Sequence, residues 1–354
     1  MDFVNKKILL ISEVLTPPFD EGIKNVAFSV HKHLRFKCSS LSVTKLGANQ
    51  NDPEILPISL NKMFLNYGLR KCIKNHTPDF ILYLPEASIT FNSFVRAKVL
   101  QFMSTHARVI MLGVKQVGYS RLQKKIIVNF LKPSSLLLLG KFDRDFFIEN
   151  GIRVGTLPPA VDNARFCPAS RQEKEKIRGE FGIPQEKTVV LHVGHIRPTR
   201  NVQCFSNIQR IKDVQVVLVG SSSTPTENDL KERLIRDGVF VIDEYVPDIP
   251  KVFKMSDAYI FPVVNKIACI DMPLSILEAM ACNLPVITTR FGGLEDNFEE
   301  DKGFYYFDND EQLASLVESV KKMNGSVIKN TDKIETFTWD KFTDAIIKTC
   351  DELA

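Results

Sequence analysis

The stretch Asp271–Asp296, DMPLSILEAMACNLPVITTRFGGLED, decides how the chain is read. Pro273 suits the first position of a helix, and LSILEAMA continues it until Asn283 and Pro285 end it. NLPVITTRFGG then reads as a buried strand and a turn. At the start of such a helix the backbone N–H groups of Leu274 and Ser275 lie outside the hydrogen-bond ladder, a ready seat for a phosphate. Glu278, one turn farther in, is placed to accept hydrogen bonds from a vicinal diol such as ribose, each charge-assisted bond worth about 1.5–3 kcal/mol. The residues alone also describe an ordinary βαβ crossover whose glutamate is solvated, and on them alone that second reading is the stronger.

The same alternation extends outward in both directions. KTVVLHVG, VQVVLVG, GVFVIDEY and DAYIFPVV are strand candidates in the second half, and KKILLIS, PDFILYLP, ARVIMLGV and SSLLLLG in the first. Helical stretches fall between them, among them NVAFSVHKHLRF, Phe91–Met103 and Tyr119–Leu131. Short apolar runs separated by helices predict α/β architecture with parallel sheets. VGTLPPAVDNARFCPAS, rich in proline and small residues, reads as a linker. The expectation is two Rossmann-like halves joined near residues 156–168 and facing across a cleft, with FTWDKFTDAIIKTCDEL as a closing amphipathic helix.

Composition narrows the class. The chain has 354 residues, 44% hydrophobic and 25% charged, which excludes disorder and fibrous repeats and allows about two domains. No apolar run reaches the roughly 20 residues that span a bilayer, and the N-terminus lacks a cleavable signal. Seven cysteines without a CxxC pair predict reduced thiols in a cytoplasmic protein and no structural zinc. The net charge of +4 divides unevenly: residues 1–160 carry +11 and the remainder −7. Such asymmetry suits two domains with different partners.

Several stretches together resemble the retaining glycosyltransferases of family four, which have the GT-B fold. LEAMACNLPVITTRFGGLED is similar to that family's C-terminal signature. LPPAVDNARFCP resembles its linker, with Val161, Asp162, Phe166 and Pro168 in place. HVGHIRPTRN resembles its basic loop, and VVLVGSSS and SDAYIFP its next strands. The likeness is good from about residue 130 to 310. It implies an acceptor domain over 1–160, a donor domain over 161–335, and a helix over 336–354 returning toward the first. It implies a hexose moved from a UDP- or GDP-sugar to a saccharide or lipid-linked acceptor, with retention, without a metal or other cofactor, and with no nucleic acid involved.

The resemblance also assigns residues. Arg200, Glu278 and His195 stand at the family's catalytic positions, with Arg200 meeting the charge that grows on the leaving diphosphate. Gly22, Gly194, Arg197, Tyr245, Val246, Asp271, Pro273, Leu274 and Ser275 stand at donor-binding positions, and an aromatic at 245 could stack a base or pack in the core. The chain departs from the pattern in four places. Ile270 stands where the family has a glutamate touching the transferred sugar, with Asp271 one place later, facing sugar hydroxyls or solvent. His195 replaces an arginine, Gly22 is one glycine where the family has a pair, and Val114, Lys115 and Gln116 occupy the region of a family histidine. These departures support an alternative, a non-catalytic homologue that binds a nucleotide sugar or a partner. Glu86 and Gln116 read as loop residues.

Two basic amphipathic stretches remain. On a wheel Tyr119, Leu122, Ile126, Ile127 and Phe130 share one face, opposite Arg121, Lys124, Lys125 and Lys132. NKMFLNYGLRKCIK mixes Phe64, Leu65, Leu69 and Ile73 with Lys62, Arg70, Lys71 and Lys74. Each exposed base near an anionic leaflet contributes about 1 kcal/mol, which suits peripheral attachment at the inner face of a membrane. The opposing expectation is that the apolar faces cover a sheet and the bases are solvated.

Overall fold

The computed structural model describes residues 6–45, 52–104, 106–222, 226–323 and 328–354. The chain divides into two compact units, one of residues 1–159, 270–272 and 339–354, the other of residues 160–269 and 273–338. Each is built on its own parallel sheet, as the apolar runs require, and each has the strand-order reversal of a Rossmann-like domain.

In the first unit the strands are β1 (Lys7–Ile11), β2 (Ser39–Lys45), β3 (Ile55–Ile58), β4 (Phe80–Tyr83), β5 (Arg108–Gly113), β6 (Ser135–Leu138) and β7 (Val154–Thr156). Their spatial order is β3-β2-β1-β4-β5-β6-β7. The central strands are buried on both faces, with Ile8–Ile11 and Ile81–Leu84 at 0% exposure, so their sequences run apolar without alternation. Helices α1 (Gly22–Leu34), α2 (Tyr67–His76), α3 (Phe91–Met103) and α4 (Arg121–Phe130) start where short polar side chains cap them in three of the four cases. Asn66, Thr90 and Ser120 accept from backbone N–H groups three residues on, and Gln123 completes a capping box with Ser120. The Trp339–Leu353 helix packs against α1, where Lys37 Nζ donates to the Asp340 carbonyl at 2.9 Å and to Asp344 Oδ1 at 2.5 Å.

The second unit adds β8 (Thr188–Val193), β9 (Val214–Val219), β10 (Phe240–Ile242), β11 (Ala258–Phe261), β12 (Val286–Thr288) and β13 (Phe304–Tyr306), in the order β10-β9-β8-β11-β12-β13. Buried Asn330 ties this sheet's end together, its amide donating to the Leu284 and Gly303 carbonyls at 2.7 and 2.8 Å.

Two sequence expectations need correction. The proline-rich stretch read as a linker contains β7, which pairs with β6 through Leu136↔Val154. Leu122 and Phe130 do not share the buried face of Ile127: they are 67% and 69% exposed while Ile127 is fully buried. The wheel treated a face about 140° wide as one surface, and only its Ile127 side meets the sheet.

Candidate functional site

In the second unit the strand order reverses between β8 and β11, and the crevice beyond the carboxyl ends of strands at such a point is where open α/β sheets bind ligands. Three pieces of chain reach this edge: the loop after β8, the end of β11, and the Leu274–Ala281 helix.

The loop Gly194–Arg200 leaves β8 with the Gly194 N–H held by the Val219 carbonyl at 2.9 Å. It tightens into a helical turn over Pro198–Arg200, where the Arg200 N–H meets the Arg197 carbonyl at 2.9 Å. Asn201 then takes a left-handed φ of 56°, which asparagine tolerates. That turn carries Arg200 inward until it is 9% exposed, yet it pairs with no carboxylate among the described residues. A buried guanidinium without an anion is costly unless a ligand supplies one. His195 and Arg197 are half-buried on the same loop.

His192, at the end of β8, was not singled out from the sequence. Its Nδ1–H donates to the Ile260 carbonyl at 2.9 Å, which fixes Nε2 as an acceptor. Nε2 is buried without a partner. Burial, helped by the nearby Arg200 and His195 charges, holds this imidazole down at about 4, so it stays neutral. Its ring stacks on Tyr259 of β11, centroids 6.3 Å apart. The Tyr259 hydroxyl reaches the Val193 carbonyl at 3.4 Å and interacts with the Ser275 side chain. His192 and Tyr259 therefore link the Arg200 loop to the start of the Leu274–Ala281 helix.

That helix has Pro273 as its extended N-cap, one position outside the sequence expectation. The first of its N–H groups with a backbone acceptor is Ile276, bonded to the Pro273 carbonyl at 3.2 Å. The Leu274 and Ser275 N–H groups precede it at the dipole's positive end. Glu278 is half-buried one turn on. Desolvation pushes its carboxyl up to about 7, against the pull of Arg165. Arg165, also missed from sequence, is placed by its side chain's bond to the Pro247 carbonyl at 3.2 Å. Its place inside the linker stretch LPPAVDNARFCP, between Asp162 and Phe166, was the available signal.

Tyr245 is 47% exposed in the loop after β10, so it is no core side chain, and Val246 beside it is half-buried. Pro273 is buried. Ile270 and Asp271 group with the first unit. The Asp271 N–H donates to the Val114 carbonyl at 2.8 Å, and a Cβ on Gly22 would meet Ile270 Cδ1 at 3.2 Å. Asp271 is 6% exposed, so the carboxyl does not face solvent. Among the described residues the structure thus brings Gly194, His195, Arg197, Arg200, Leu274, Ser275 and Glu278 to one unit, and Gly22, Ile270 and Asp271 to the other.

Comparison with known proteins bears on this geometry. Residues 173–335 match the family model of the glycosyl transferases group 1. A sulfoquinovosyl transferase of Arabidopsis thaliana is 25% identical over 243 residues, covering 65% of this chain and 46% of that protein. A UDP-Gal:alpha-D-GlcNAc-diphosphoundecaprenol alpha-1,3-galactosyltransferase of Escherichia coli is 28% identical over 179 residues, covering 45% and 43%. The chain therefore spans less than half the length of these curated relatives. Among solved structures, sucrose-phosphate synthase from Thermosynechococcus elongatus superposes with a TM-score of 0.78 at 13% identity, over 99% of both chains. Anabaena HepE in complex with UDP-glucose gives 0.75 at 15%, over 98% of this chain and 99% of that one. These likenesses show the fold, two Rossmann-like domains of the GT-B type. The family match lies in the second unit, so residues 173–335 are similar to the glycosyl transferases group 1.

Proposed function

We propose that this chain is a group 1 glycosyltransferase that moves a hexose-type sugar from a UDP- or GDP-sugar to a hydroxyl of a saccharide or lipid-linked acceptor, with retention of configuration. The observation that carries the reading is Arg200, a buried guanidinium without a carboxylate partner among the described residues, at the β8/β11 reversal. The donor's diphosphate would lie between Arg200 and the Leu274–Ser275 N–H groups, and its ribose diol on Glu278. Arg200, with Arg197 beside it, would stabilise the charge that builds as the glycosidic bond breaks, the step where such interactions lower the barrier. In this reading the leaving phosphate takes the acceptor's proton on the same face, and no metal is required. Titration of UDP and GDP into the protein by calorimetry tests it: one should bind, and Arg200→Ala should weaken it.

A non-catalytic reading is favoured by Ile270, an aliphatic side chain 5% exposed where the resemblance puts a sugar-contacting glutamate. Nucleotide binding without release of diphosphate from any sugar nucleotide would select it.

The proposal extends to a membrane surface. Phe64, Leu69, Ile73, Phe94, Leu100 and Ile127 belong to one core cluster, so α2, α3 and α4 cover the same face of the first sheet. Their outer side exposes Leu65, Tyr67, Phe102, Leu122 and Phe130 among Arg70, Lys71, Lys74, Arg121 and Lys125. No helix among the described residues is long and apolar enough to cross a membrane. Exposed apolar and basic side chains together suit reversible attachment to an anionic leaflet.

A further inference from the structure

The first unit holds a second built cluster at its own strand-order reversal, between β1 and β4. Glu13 lies just past β1, Tyr83 ends β4, and Arg96 reaches both from α3. Arg96 Nη1 donates to Glu13 Oε1 at 2.5 Å and to the Tyr83 hydroxyl oxygen at 3.3 Å, and the Tyr83 hydroxyl donates to the same Oε1 at 3.1 Å. Arg96 is itself fixed, its Nε donating to the Lys62 carbonyl at 2.7 Å and its guanidinium lying 5.3 Å from the centre of the Phe64 ring. Phe64 holds a left-handed φ of 62°, uncommon for an aromatic residue. Ser88, in the loop after β4, holds 63° with its Oγ donating to the Lys115 carbonyl at 2.8 Å. Strained backbone of this kind gathers at ligand sites.

The Tyr83 and Arg96 side chains both donate to Oε1. Oε2 is buried without a partner, on a side chain 7% exposed. Burial lifts the Glu13 carboxyl above the usual range; its own backbone N–H, then Arg96 and Tyr83, oppose that, and Glu86 adds to it. With Arg96 balancing Glu13, the further charge that acts on this carboxylate is that of the exposed Glu86. A cation is already present, Glu86 disfavours a phosphate, and the unpartnered lone pairs of Oε2 call for a neutral donor.

We infer that Glu13 Oε2 takes the hydrogen bond of a hydroxyl on the neutral, polyhydroxylated part of the acceptor, which makes Glu13 a specificity-determining residue. The inference rests on the transferase reading for its context, but it can fail separately. Arg96 and Tyr83 act as positioning residues, holding the carboxylate so that one oxygen is kept for the ligand.

Saturation-transfer NMR on the full chain with methyl α-glucoside, N-acetylglucosamine, myo-inositol and glucose 6-phosphate tests it, beside calorimetry with UDP and GDP. At least one neutral polyol should bind wild type, and Glu13→Gln, which places an amide N–H where Oε2 stood, should bind it about tenfold or more weakly. Glucose 6-phosphate should fail to bind wild type and bind Glu86→Lys, an exposed change that decides the matter if circular dichroism shows Glu13→Gln misfolded. No polyol binding by wild type, binding by folded Glu13→Gln within twofold, or no gain by Glu86→Lys overturns the inference. If the nucleotide still binds in that case, the donor reading stands without it. Polyol binding without nucleotide binding leaves Glu13 in place and removes the donor reading.

Discussion

Replacing Glu278 by glutamine should stabilise the protein and damage its binding, a combination expected of a site residue and not of a packing residue. The Glu278 carboxyl ionises near 4.5 when free and at about 7 in the folded chain, because its charge is desolvated. Between those values the folded state holds the extra proton, so stability falls as pH rises through the interval, and above 7 the whole cost is present. The full shift corresponds to about 3 kcal/mol, and because the side chain is half-buried the realised cost should be about 1–2 kcal/mol. Glu278→Gln carries no charge and should raise the urea midpoint at pH 8 while changing little at pH 4.5. Its affinity for the preferred nucleoside diphosphate should drop about tenfold or more, as charge-assisted bonds to the diol are lost. A variant no more stable than wild type at pH 8, with unchanged nucleotide affinity, would refute both the desolvation argument and the ribose assignment.

Arg200→Ala should lower turnover more than donor affinity, measured by steady-state kinetics against calorimetry, because charge on the leaving diphosphate grows toward the transition state. His195→Arg should retain or raise the rate constant for turnover, and a severe loss would show that position 195 does not face phosphate. Leu122→Glu with Phe130→Glu should reduce co-sedimentation with anionic vesicles and leave binding to neutral vesicles at its low baseline; equal sedimentation of variant and wild type would remove the membrane surface. Asn330→Ala should destabilise the protein by about 2–3 kcal/mol in urea unfolding, since two buried carbonyls lose their donor.

The parts of the fold legible in sequence were those whose strands are buried on both faces, such as Ile8–Ile11 and Val214–Val219. SSLSVTK of β2 alternates and lies toward the sheet's edge; ILPI of β3 is an edge strand of four residues interrupted by Pro57, and VGT of β7 is an edge strand of three, so none gives a clear strand signal. In the site, the segments carrying Arg200, Leu274, Ser275 and Glu278 were visible as loop and helix signals. His192 was hidden inside a strand, where one histidine looks like any core residue until its unpartnered Nε2 is seen. Glu13 was hidden for a different reason. A glutamate after a first strand carries no pattern, and its meaning comes from Tyr83 and Arg96, about 70 and 83 positions away.

The most direct test of the account is release of nucleoside diphosphate from a panel of UDP- and GDP-hexoses, followed continuously in wild type and Arg200→Ala. The account predicts release from at least one donor by wild type and a large fall in that rate in the variant. No release from any donor, with nucleotide affinity equal in the two proteins, would contradict it.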